Sequence, residues 1–251
     1  MFRSSNPALG SSTFLDLSSG TIAERNDAMT LGGTVNKTGI LLLLVVMTGW
    51  FSWSHSVAPT GTLAPSASLY LFGGMIGGFV MALVTVFKKT WAPVTAPAYA
   101  LLEGLFLGAI SAQYDARFHG IVLQAVVLTI GTLAALLLAY RTGAIRATEN
   151  FKLGVVAATG GICLIYLVTL GLGLFGVQVP YIHASGPVGI AFSLFVVVIA
   201  ALNLVLDFDF IESGVEAGAP KYMEWYGAFG LMVTLVWLYI EFLRLLSKLR
   251  R

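Results

Sequence analysis

The stretch PVGIAFSLFVVVIAALNLVLDFDFIESG, residues 187–214, opens with twenty uncharged residues and then places Asp207, Asp209 and Glu212 within six positions. A run of about 20 apolar residues is what one helix needs to cross the ~30 Å hydrocarbon core of a bilayer. The stretch therefore predicts a transmembrane helix with carboxylates at one end. Counting back from Asp207 in helical steps lands on Asn203, Ala200, Ser193, Gly189 and Gly186, all small or polar. Phe192 and the apolar residues 195–199 lie around that line. A narrow polar stripe flanked by apolar side chains suits the interior of a helix bundle, so Asp207 is expected to point inward. Asp209 lies roughly 200° further round and cannot share its face. Asp209 and Glu212, three apart, share a side where a boundary would leave both hydrated.

Working outward, six more segments have the same length and character. The spans are expected at 38–57, 68–87, 94–113, 120–140, 153–175, 187–206 and 225–246, with short links carrying Gly, Pro or charge. Short links make sequential helices antiparallel neighbours in one bundle. Residues 1–37 read as a flexible polar tail without an early apolar core of the kind a secretory signal has, and 38–251 as the transmembrane domain. The composition agrees. Of 251 residues 57% are hydrophobic and 10% charged, and the mean hydropathy is +0.88, far outside the usage of water-soluble domains.

The net charge of +2 reports orientation rather than a polyanionic partner, and nucleic-acid binding has no support. With the amino terminus inside, nine Lys and Arg fall on the cytoplasmic side and five outside, as the positive-inside tendency asks. The basic ending SKLRR would then lie outside, which a re-entrant segment would avoid; seven full spans are preferred. The single cysteine, Cys163, excludes an intrachain disulfide and reads as a small apolar residue. In GGMIGG, Gly73 and Gly77, and Gly74 and Gly78, are each four apart and give the second helix a smooth groove for a neighbour.

Three further acids matter. Glu103 lies near the middle of the third span with no cation beside it. A charged side chain there costs ~2.5–3.5 kcal/mol on insertion scales, so protonation, a buried cation or a water-lined path must compensate. In the last span Glu241 precedes Arg244 by three residues, a spacing suited to a local pair with the arginine snorkelling outward. His55, His119 and His183 sit at span ends or links without the i, i+4 spacing of a zinc helix. Walker, GxSxG and Ser/His patterns are missing, so the chain does not read as an enzyme or a nucleotide-driven pump. No lysine in the middle of the seventh span is available for a retinal Schiff base.

The segments PAYALLEGLFLGAIS, NLVLDFDFIESG and WLYIEFLRLLSKL, in this order and spacing, resemble the Bax inhibitor-1 family, the proteins with a transmembrane Bax inhibitor motif, and its bacterial YccA-like branch. The resemblance covers the chain from about Thr38 onward. It implies an all-α bundle of seven transmembrane helices with the last one central, in the bacterial inner membrane. It implies a pH-sensitive calcium leak gated by a buried acidic pair. Asp207 matches the aspartate of the sixth helix. The partner aspartate lies ten residues ahead of the seventh-helix arginine, where this chain has Thr234. A threonine cannot share a proton with Asp207, so another partner is expected: Glu103 first, Asp209 or Glu241 otherwise. Lys88 and Lys89 resemble the family's basic cluster and could neutralise Asp207.

The gate expected is thus Asp207, Glu103, Asp209 and Thr234, with Asn203, Glu212, Glu241, Lys88 and Lys89 along the ion path. Calcium is expected as the transported ion, held weakly at Asp207 and Asp209 with water completing its shell; no other cofactor is called for. The rival reading is a non-conducting regulatory protein that binds a membrane protease or another integral partner through the loop ESGVEAGAPKYMEW and the tail. A proton-coupled transporter ranks third, without an inverted repeat to support it.

Overall fold

Each apolar run folds as one helix: α1 (Leu31–Ser56), α2 (Ser66–Phe87), α3 (Ala92–Arg117), α4 (Ile121–Arg141), α5 (Glu149–Leu174), α6 (Pro187–Glu216) and α7 (Met223–Leu249), with one 3₁₀ turn, Lys89–Trp91, between α2 and α3. The computed structural model describes residues 27–57, 63–176 and 186–250. All seven helices are long and apolar enough to span a bilayer, so the all-α seven-helix membrane bundle stands.

Two boundaries differ most from expectation. α1 starts at Leu31, seven residues before the expected start of the span at 38, because Thr30 caps it: its hydroxyl accepts the Gly33 N–H at 3.0 Å. The rest of the expected tail, residues 1–26, lies outside the described residues, as do His183 and Arg251. α6 continues ten residues past Leu206 to Glu216. Its 30 residues measure about 45 Å, more than the hydrocarbon core, so its carboxylates are helical residues rather than loop residues.

The last helix is the most buried of the seven spans, and α5 the least. α7 packs against α6, α1, α4 and α3, while α3 lies between α1 and α2 and α5 leans chiefly on α6. Lipid tails are as apolar as leucine, so membrane helices are held by close van der Waals contact, which small residues allow. The α1, α2, α3 group shows it. A Cβ on Gly74 would come 2.6 Å from Phe106 N, and one on Gly104 or Gly108 would overlap Thr48 or the Gly49 carbonyl of α1. Of the α2 glycines, Gly74 and Gly78 form the groove that receives α3, whereas Gly73 faces open space.

Before α1 the chain pairs with the link between α6 and α7. Met29 N–H donates to Ala219 O at 2.6 Å and Lys221 N–H to Asp27 O at 2.8 Å. Gly218, with φ of +65°, supplies the left-handed residue that turns this link.

Candidate functional site

The polar stripe of α6 faces the bundle as its spacing predicts. Asn203 donates to Thr159 Oγ1 of α5 at 2.9 Å and to Ile199 O at 2.8 Å. One turn on, Asp207 has 0% exposure. It lies nine residues from the end of α6, about 14 Å along the axis, so it is enclosed by neighbouring helices rather than hydrated at a boundary.

The two neighbouring acids diverge from it. The Asp209 side chain is 24% exposed and pairs with Lys152 Nζ of α5 at 2.7 Å; Lys152 also lies 3.7 Å from Glu149. Glu212, exposed at the surface, accepts the Tyr140 hydroxyl of α4, and the Tyr140 ring packs on Phe208. α4 and α5 thus each hold one carboxylate of α6 while the third points into the bundle. Lys152 is thus one cation of this acidic end. Lys88 ends α2 exposed, and α2 packs on α1 and α3.

Of the residues expected beside Asp207, Glu103 and Thr234 lie on different helices, α3 and α7. Glu103 is buried in the seam between α3 and α2, its Oε2 2.6 Å from where a Gly78 Cβ would stand. α6 packs on α7, α4, α5 and α1 instead. Thr234, buried on α7, turns its hydroxyl to Gly230 O of its own helix at 3.4 Å. It occupies the helix that forms a hairpin with α6, but it brings no acid. Asp207 is buried and Asp209 pairs with Lys152, and among the described residues no group of three or more His, Cys, Asp or Glu could hold a metal ion.

The Glu241 and Arg244 pair forms as expected, at 3.0 Å. Sequence reasoning missed its third member, Tyr166 of α5, whose hydroxyl donates to Glu241 Oε1 at 3.1 Å and accepts from Arg244 Nη1 at 2.8 Å, with the guanidinium 5.1 Å from its ring centroid. Near α7's far end Lys248 donates to Gly189 O and Ser193 Oγ of α6 at 2.9 and 2.8 Å.

A second acid was also missed. Glu224, fully buried at the start of α7, accepts Thr30 N–H and the Thr30 hydroxyl, both at 2.9 Å, and pairs with Lys37 of α1. A Cβ on Gly33 would overlap this carboxylate, so glycine there is what lets it reach the positive end of α1. Glycine at 33 and lysine at 37 were both visible, but nothing local ties them to a residue nearly two hundred positions away.

Asp207 and Glu103 are the two acids buried within the spans on α6 and α3. Both sit where ionisation must be offset by the protein rather than by water. No curated protein and no solved structure matches the chain. A family model described as Bax inhibitor 1 like matches residues 6–251. With a match over nearly the whole length, and with a buried acid late in the sixth of seven spans and a carboxylate–arginine pair late in the seventh, this chain belongs to the Bax inhibitor 1 like family.

Proposed function

We propose that the protein is a pH-sensitive calcium leak of the bacterial inner membrane, with a cytoplasmic amino terminus, in which protonation of Asp207 controls how α6 packs against α7. The observation that carries this reading is Asp207 at 0% exposure on the helix paired with the central α7. A buried carboxylate costs several kcal/mol in its charged form unless the surroundings compensate, so helix packing and proton uptake at that position are coupled. Asn203, one turn away, and backbone carbonyls add oxygen donors suited to a hard cation, with water filling the shell. Glu103 is a second proton site in another seam, α2 against α3, rather than the partner of Asp207.

The test is calcium efflux from liposomes holding only the purified protein, measured across pH for the wild type and Asp207→Asn. The variant is expected to lose most of the pH dependence. Unchanged flux with an unchanged pH profile would reject the assignment. A second reading, a non-conducting protein bound to another integral partner, is favoured by α5, whose five glycines 154, 160, 161, 171 and 173 meet nothing within 4 Å. Wild-type liposomes that pass no calcium at any pH, together with crosslinks from α5 to a partner in native membranes, would decide for it.

A further inference from the structure

A short extended segment before α1 covers one end of the α6–α7 seam. Residues 27–30 run antiparallel to the α6–α7 link, with Ala28 bridged to Pro220 and a main-chain bond on either side, Met29 N–H to Ala219 O and Lys221 N–H to Asp27 O. The Met29 side chain is 2% exposed. It shares one apolar cluster with Phe210 and Ile211 of α6 and Met223 and Tyr226 of α7.

The notch it fills is made by Gly227 of α7. A Cβ there would lie 3.1 Å from Ile211 Cγ1, 3.5 Å from Met29 Cε and 3.5 Å from Thr34 Cγ2, so three side chains converge on a residue that has none. Ile211 is four residues after Asp207, one turn nearer the end of α6. Thr234 is seven residues past Gly227, two turns and about 10.5 Å deeper on the same face of α7. Met29 thus stands between the end of the bundle where α6 turns into α7 and the depth of Asp207 and Thr234.

Met29 reaches this seam from outside the spanning helices, and the ties that hold it are separable from the bundle. They are the two main-chain bonds to the link and the Glu224 carboxylate, which accepts the Thr30 N–H and hydroxyl and pairs with Lys37. A segment held by a few hydrogen bonds and one ion pair opens at lower cost than the helices it rests on. Methionine, unbranched and flexible, fills an irregular notch without demanding a unique fit.

We propose that residues 27–30 are a removable plug on the α6–α7 seam, with Met29 as its tip and Glu224 as its lock, and that lifting it admits water from that end to the depth of Asp207. What the plug regulates rests on the leak proposed above, whereas its geometry and its accessibility test do not.

The test uses the full chain in detergent, with Cys163→Ser removing the single native cysteine and one reporter cysteine introduced. Thr234→Cys is nearly isosteric at a position 3% exposed. Ser52→Cys, at a position of 0% exposure where α1 meets α3, is the control. Each protein is treated with a charged, water-soluble methanethiosulfonate. The Thr234→Cys reporter should react slowly with the plug intact and about tenfold or more faster with Met29→Ala or Glu224→Gln. With Met29→Leu it should react at nearly the original rate, since truncating a buried methionine costs far more than a swap that keeps its volume. The Ser52→Cys rate should not move. A fast Thr234→Cys reaction with the plug intact, or a rate that ignores Met29→Ala, overturns the plug. Equal acceleration of both reporters overturns it too, because Met29 is then an ordinary core residue. Calcium efflux from liposomes of the same variants separates the two readings. Accelerated labelling without flux in any variant rejects the leak and keeps the plug, and unchanged labelling beside a flux that depends on Asp207 rejects the plug and keeps the leak.

Discussion

α3 and α5 are both 26-residue helices, with two and five glycines, and the two are held by different means. α3 is wedged between α1 and α2, with Gly104 and Gly108 pressed on the α1 backbone and Gly74 of α2 pressed on α3. Among the described residues a Cβ on any glycine of α5 would meet nothing within 4 Å, and that helix is held by Ile162 packed on Val196 and Ile199 of α6 together with three polar ties: Lys152 to Asp209, Thr159 to Asn203, and Tyr166 to Glu241 and Arg244. Close packing works at any pH, whereas polar ties depend on charge and on local water. Two of the three ties end on α6, four residues before and two residues after Asp207. The less buried helix is therefore fastened to the helix that carries the buried acid.

The strongest way to break this contrast is to place a side chain where α3 meets α1. Gly108→Leu puts atoms into the Gly49 carbonyl and Ser52. It should cost about 3 kcal/mol or more, in the range of severe overpacking. Thermal unfolding in detergent should show a large drop in midpoint or no monodisperse protein at all. A midpoint equal to the wild type would mean that α1 and α3 are not in backbone contact.

Next in size is Glu224→Ala. It leaves Lys37 mostly buried without its carboxylate and removes two hydrogen bonds from Thr30. Breaking a buried pair costs ~3–5 kcal/mol, and the partial exposure of Lys37 places this one at the lower end, about 3 kcal/mol. Amide exchange at Met29 and Lys221, which pair across the N-terminal segment and the α6–α7 link, should accelerate while that of α3 stays slow. Equal exchange in variant and wild type would remove Glu224 from the clasp.

Lys152→Met tests a tie of α5. Asp209 keeps access to water, so the loss should be only about 1 kcal/mol. The expected signature is local: faster amide exchange in the first turns of α5 and none in α3. A global loss of stability instead would show that α5 is as well packed as the rest.

Much of this architecture was legible because hydropathy reports the solvent directly: apolar stretches of membrane-spanning length must be helices whatever surrounds them. The direction of Asp207 was legible for a similar reason, since the small and polar residues at helical steps from 186 to 203 define one face. The neighbours of each acid were not. Lys152 and Tyr140 reach α6 from helices whose rotation no local pattern specifies, and Glu224 meets Thr30 and Lys37 only after the whole bundle closes. Glu103 shows the same limit. Its depth was readable from position, but the seam it faces is set by Gly78, a glycine that sequence spacing marked for packing and not for accommodating a carboxylate. Gly104 and Gly108, four apart in LLEGLFLGAIS, carried the same signal as the glycines of α2 and could have been read by the same rule.

The smallest effect sharpens the contrast most. Gly160→Ala adds a methyl where nothing lies within 4 Å, so it introduces no overlap. Alanine also loses less backbone freedom on forming helix than glycine, by roughly 0.5–1 kcal/mol. The variant should be neutral or slightly more stable. The same change at Gly78 meets Glu103 Oε2 at 2.6 Å, so the carboxylate must move or α2 must shift. Measured side by side in one detergent, the two alanines differ by no chemistry except their neighbours, and their difference in unfolding midpoint is the packing of α2 on α3 minus that of α5 on its surroundings. If Gly160→Ala destabilises as much as Gly78→Ala, something covers the open face of α5 in the purified protein, and the contrast between the two helices collapses.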